Sequence, residues 1–97
     1  MEELVQAIRN RSQIRVSYKD TDRIIEPHAL GSNSNSGKTL LRAYQVEGGS
    51  ASGASEGWKL MDLQMLNSVE FTGESFQVRD SYKRNDSAMT GGIIEEI

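Results

Sequence analysis

Cysteine is absent from this 97-residue chain. That excludes a disulfide framework and any thiolate metal site. A single histidine, His28, cannot build a histidine-based metal cluster, so no zinc chemistry and no metal are expected. Without Cys or a second His there is no nucleophile–base pair, and the serines concentrate in loops. The chain therefore reads as a non-enzyme with no catalytic set and no cofactor. Long apolar runs are also missing, so no span of a bilayer is expected. The first residues, "MEELVQAIRN", hold two acids and no apolar core run; no secretory leader is read there, and a soluble cytoplasmic protein is the expectation. Proline occurs once, at Pro27, and tryptophan once, at Trp58.

Basic excess is lacking too: the net charge is −3, which argues against strong nonspecific binding to DNA. The charge is uneven, however. Residues 1–46 sum to +2 and residues 47–97 to −5. A local basic surface is compatible with an acidic whole.

What is present is alternation. "SQIRVSYKD" places Ile14, Val16 and Tyr18 on one side of a strand. "RIIEPHALG" resumes as a second strand, in which Pro27 marks an edge, a bulge or an end. "TLLRAYQV" sets Leu40, Arg42, Tyr44 and Val46 against Leu41, Ala43 and Gln45. "WKLMDL" gives a fourth strand and "SVEFT" a fifth, with Val69 and Phe71 expected inward; "LQMLN" between them reads as one helical turn. A short amphipathic helix over "EELVQAIRN", with Leu4, Val5 and Ile8 on one face, precedes them. Glu47–Gly57 is a small-residue loop with little to bury. The expected fold is mainly β: a small five-stranded antiparallel Sm-like or SH3-like barrel with a short N-terminal helix. It spans residues 1–76. Residues 77–97 form a polar extension that can end in an edge strand.

One motif invites a nucleotide reading. Gly37-Lys38-Thr39 ends as a P-loop does, but five residues separate Gly31 from Gly37 where four are needed, and a strand rather than a helix follows. The segment reads as a solvated hairpin loop.

The run "RIIEPHALG", "GKTLLRAYQVEG", "GWKLMDL" and "VEFTGESF" resembles a WYL domain, from about Gln6 to Phe76, in the order and spacing of its pieces. The resemblance implies an Sm-like barrel and a ligand-sensing module with a regulatory role, in some members a binder of single-stranded nucleic acid. Two departures stand out. The signature strand reads Thr39-Leu40-Leu41, and the later segment Met61–Leu66 has Asp62 and Gln64 where basic residues are usual. No helix-turn-helix pattern is read in this chain, so it is not expected to read duplex DNA by itself.

The candidate ligand-binding residues are Arg23, His28, Arg42, Tyr44 and Lys59. Arg23, Arg42 and Lys59 lie on three strands that a small barrel can bring to one surface, where an anion, a nucleotide or a single-stranded backbone would suit them. They serve equally as solvated charges or as partners of Glu26 and Asp62. Tyr44 and Trp58 have the size to stack a base, though as the largest residues of neighbouring strands they are expected in the core. Lys83 and Arg84, beside Tyr82, form a small basic patch in the extension. As an exposed charge Arg42 would contribute little to stability. The alternative function is a protein–protein module docking a regulator or helicase-like partner; the oligomeric state is not legible.

Overall fold

The computed structural model of the chain describes residues 1–49 and 56–97. Helix α1 (Glu2–Asn10) precedes six strands: β1 (Ser12–Tyr18), β2 (Thr21–Ser32), β3 (Thr39–Gly48), β4 (Gly57–Asp62), β5 (Leu66–Ser75) and β6 (Gly92–Glu96). All pair antiparallel in one sheet of order β4-β3-β2-β1-β5. The twelve-residue β2 is long enough to hold two strands on one edge: β1 along Thr21–Ile25 and β6 along Ala29–Ser32. The five strands expected are therefore six. The sheet is open: β4 and β5 are its ends, and among the described residues no ladder joins them. A three-residue 3-10 helix, Leu63–Met65, connects those two strands, with the Asp62 carboxylate accepting from the Gln64 N–H.

Leu4, Ala7 and Ile8 bury one face of α1, at the i, i+3, i+4 spacing that lines up side chains on a helix. They meet Ile14, Val16, Tyr18, Ile25, Leu30, Leu41, Ala43 and Met61 in one core, with Leu63, Leu66 and Val69 packed against it. Every strand on the sheet path thus turns one face to the same interior. Phe71, expected inward with Val69, is 48% exposed: β5 ends the sheet, and among the described residues no strand lies beyond it.

The Asn33–Lys38 loop is a hairpin connection and not a phosphate cradle. Its own Asn33 Oδ1 accepts from the N–H groups of Asn35 and Ser36. Asn33 and Gly37 close the loop through backbone bonds. The Glu47–Gly57 loop lies largely outside the described residues.

Candidate functional site

Strand alternation breaks at one place in β2, and the break builds the site. Pro27 pairs with Ala43, and the next pair is Ala29 with Arg42, so His28 is an extra residue. Such a bulge re-aims side chains. Ile25 and Leu30 both face the main core, while Ala29 joins Leu40 and Met89 in a second cluster on the outer face. Proline suits the position: on β2's other edge it falls in the gap between the last β1 partner, Ile25, and the first β6 partner, Ala29.

The outer face also carries Glu26, Arg42, Tyr44 and Trp58, because Glu26 pairs with Tyr44 and Tyr44 with Trp58 across β2, β3 and β4. His28 is fully buried there among the rings of Trp58, Phe76 and Tyr82, at centroid distances of 4.8, 5.0 and 5.1 Å. Its Nδ1–H donates to the Glu26 carbonyl at 2.8 Å, and its Nε2 accepts from the Arg79 N–H at 3.3 Å. Both nitrogens are engaged within the protein, in the neutral form. Burial lowers its pKa below the ordinary histidine value, against the backbone bond and the charge of Glu26.

Residues 76–91 cover this face, clamped by two forked ion pairs of opposite sense. The Arg79 guanidinium, from the covering segment, grips the sheet carboxylate Glu26 at 2.7 and 3.2 Å and lies 3.9 Å over the Tyr44 ring. Arg42, from the sheet, grips Asp86 of the segment at 2.6 and 3.2 Å. Arg42 holds the Asp86 carboxyl below the usual carboxylate range, and the Glu26 bond raises Arg79. The Arg42 side chain is 27% exposed and that of Asp86 only 7%, so removing Arg42 strands a buried carboxylate. The expectation of an exposed charge is corrected, and losing Arg42 should cost about 2–3 kcal/mol.

Beside this clamp runs a groove of about 440 Å³, lined by Arg42, Trp58, Tyr82 and the Ser81–Ser87 stretch. Trp58 forms a wall, its Nε1–H donating to Ser81 Oγ at 2.9 Å. Three cations border the groove, Arg42, Lys83 and Arg84, against one acid, Asp86. Arg84 is engaged with the Glu96 carboxylate and the Ile97 carbonyl. Lys83 is exposed and makes no ion pair among the described residues.

The five predicted residues do not come together. Arg42 and Tyr44 share the outer face with His28. Arg23 pairs with the core residue Val16 and is buried on the inner face. Lys59 pairs with the core residue Ala43, so it too belongs to the inner side. The expected common surface of Arg23, Arg42 and Lys59 is thus replaced by two faces. The suggested partners are also reassigned: Glu26 is taken by Arg79, and Asp62 by Lys38 at 3.5 Å. Tyr44 and Trp58, expected in the core, are half-buried on the outer face, in edge-on contact at 5.5 Å. Tyr44 donates to Glu56 at 3.0 Å, which raises its pKa. The residues that sequence reasoning missed, Arg79 and Asp86, sit 53 and 44 positions from their partners and belong to no pattern. A carboxylate set between Ile25 and Pro27 in β2, Glu26, was the one available signal. Comparison with known proteins returns nothing: no family model, no curated protein and no solved structure matches this chain.

Proposed function

We propose that the protein is a non-enzymatic binding module with a regulatory role, and that the groove at Trp58 takes an anionic ligand with a flat ring: a nucleotide or a single-stranded nucleic acid. The observation that carries the reading is the juxtaposition of the Trp58 and Tyr82 rings with Arg42, Lys83 and Arg84 around one groove. Aromatic faces stack bases without regard to sequence, and cations hold the phosphates beside them. Lys83 is the cation best placed to take a phosphate, since Arg42 and Arg84 are already engaged with carboxylates. The resemblance of β2–β4 to WYL domains supports the same reading. So does the strand order: with the two ends of the sheet joined by one 3-10 turn, we read it as a variant of the Sm-like barrel.

Trp58, the sole tryptophan, makes the test direct. Its fluorescence is followed while nucleotides or a short single-stranded oligonucleotide are added at low salt. The expected result is saturable quenching that weakens as salt rises, with a salt slope lower by about 0.7 for the oligonucleotide in Lys83→Ala, one phosphate contact fewer. No response from either ligand at low salt rejects the reading. Protein docking is then favoured, for which the edge of β5, unpaired among the described residues, is the surface, with Phe71 48% exposed and Met65 of the preceding 3-10 turn 47%.

A further inference from the structure

We infer that Arg23 anchors a second anion site, on the opposite face of the sheet from the groove, that takes a single oxyanion group, a carboxylate or a phosphate. Arg23 is 5% exposed, and its Nε is buried without a hydrogen-bond partner. Among the described residues its one side-chain hydrogen bond is a long one, 3.4 Å from Nη1 to the Oε1 of Gln45, itself fully buried. The guanidinium lies 5.0 Å over the Tyr18 ring, and Lys19 Nζ lies 5.5 Å from that same ring. Two cations thus flank one aromatic ring, and neither forms an ion pair among the described residues.

A buried guanidinium is costly unless its charge is met, and contact with a ring face meets only part of it. Among the described residues, no carboxylate lies within ion-pair distance of Arg23. Asp22 is an immediate neighbour along β2 and so points to the other face. Glu47 pairs with Ile24, which also places it on the other face. The residue directly opposite Arg23 is Gly48, which brings no side chain at all. A glycine is required there: with φ at 119°, a Cβ would fall 2.4 Å from the Asp22 carbonyl oxygen and 2.6 Å from the Arg23 Cα. The sequence from Ser50 to Ser55 contains no acid either. An oxyanion fits the guanidinium fork, because its two oxygens accept the parallel N–H donors that Gln45 satisfies only at long range.

The test is a titration of the folded protein with phosphate, acetate and chloride at constant ionic strength, read at the Arg23 Nε–Hε resonance by NMR and by thermal melting. The expected result is a saturable downfield shift of that resonance, with a matching rise in Tm, for phosphate or acetate and not for chloride. Arg23→Gln abolishes the Tm rise, and Lys83→Ala retains both responses. A response to phosphate alone assigns the site to a phosphate-bearing ligand. A response to acetate alone assigns it to a carboxylate, such as an acidic side chain of a partner. An Arg23 resonance that stays still or drifts without saturating overturns the proposal. So does a Tm rise that survives in Arg23→Gln. If Arg23→Gln does not fold, the wild-type resonance alone decides.

Discussion

His28 is held neutral by most of what touches it. Trp58, Phe76 and Tyr82 exclude water, Arg79 adds a positive charge, and the Arg79 N–H requires a lone pair on Nε2 that protonation would remove. Only the Glu26 carbonyl and carboxylate favour the charged form, and burial outweighs them. The sign of the consequence follows from proton binding. The unfolded chain takes up a proton near pH 6.5, while the folded chain resists it, so the unfolded state binds more protons as pH falls below that value. Stability is therefore complete well above pH 6.5 and declines as pH falls through about 6.5 towards the lowered folded-state value, by no more than about 1.4 kcal/mol per pH unit for one group. Urea unfolding at the two ends of that window checks this. In His28→Gln the decline should vanish, because carboxylates titrate lower; an equal slope in the variant would assign it to another group.

At the level of elements, the alternating strands were legible because each has one face on a single core. β1 shows it best, with Ile14, Val16 and Tyr18 buried as their spacing requires. The Leu41–Ala43–Gln45 side of β3 turned out to be the inner one, because Gln45 is buried beside Arg23 while Arg42 is needed outside by Asp86. No local pattern encodes that choice. The bulge at His28 was signalled only by Pro27, and β6 only by its apolar Ile93-Ile94 pair. The hairpin between β1 and β2 offers a measurable strain. Tyr18 pairs with Thr21, leaving Lys19 and Asp20 as a two-residue turn with φ of 49° and 63°. Both residues sit in the left-handed region that such hairpin turns demand and that asparagine and glycine adopt most readily. Replacing the pair with Asn-Gly should stabilise the protein by about 0.5–1 kcal/mol after the loss of the Lys19–Tyr18 contact. A Tm rise of several degrees checks it. An unchanged or lower Tm would mean that Lys19, whose N–H also donates to the Met65 carbonyl at 3.1 Å, contributes more through its contacts than it loses through strain.

For the molecule as a whole, the question is whether residues 77–97 are an appendage or part of the fold. Their composition reads as a polar tail, yet they supply Met89 and Tyr82 to the outer cluster, Arg79 and Asp86 to the two clamps, and β6 to the sheet. The closing contacts run deep: the Ile97 N–H donates to the His28 carbonyl at 3.0 Å, and the Gly91 N–H to that of Ser32 at 2.8 Å. Cutting the chain after Phe76 would strip the cover from His28 and Leu40, leave Glu26 and Arg42 without their partners, and expose half of one edge of β2. Each of those losses costs about 1–3 kcal/mol, and together they rival the total stability of a domain this size. Residues 1–76 alone should therefore lose cooperative unfolding and bind a dye for exposed apolar surface, and adding a synthetic 77–97 peptide should restore the transition. A sharp, dye-silent melt from residues 1–76 alone would mean that the main core beneath α1 suffices, and that the extension serves only the outer face and its groove.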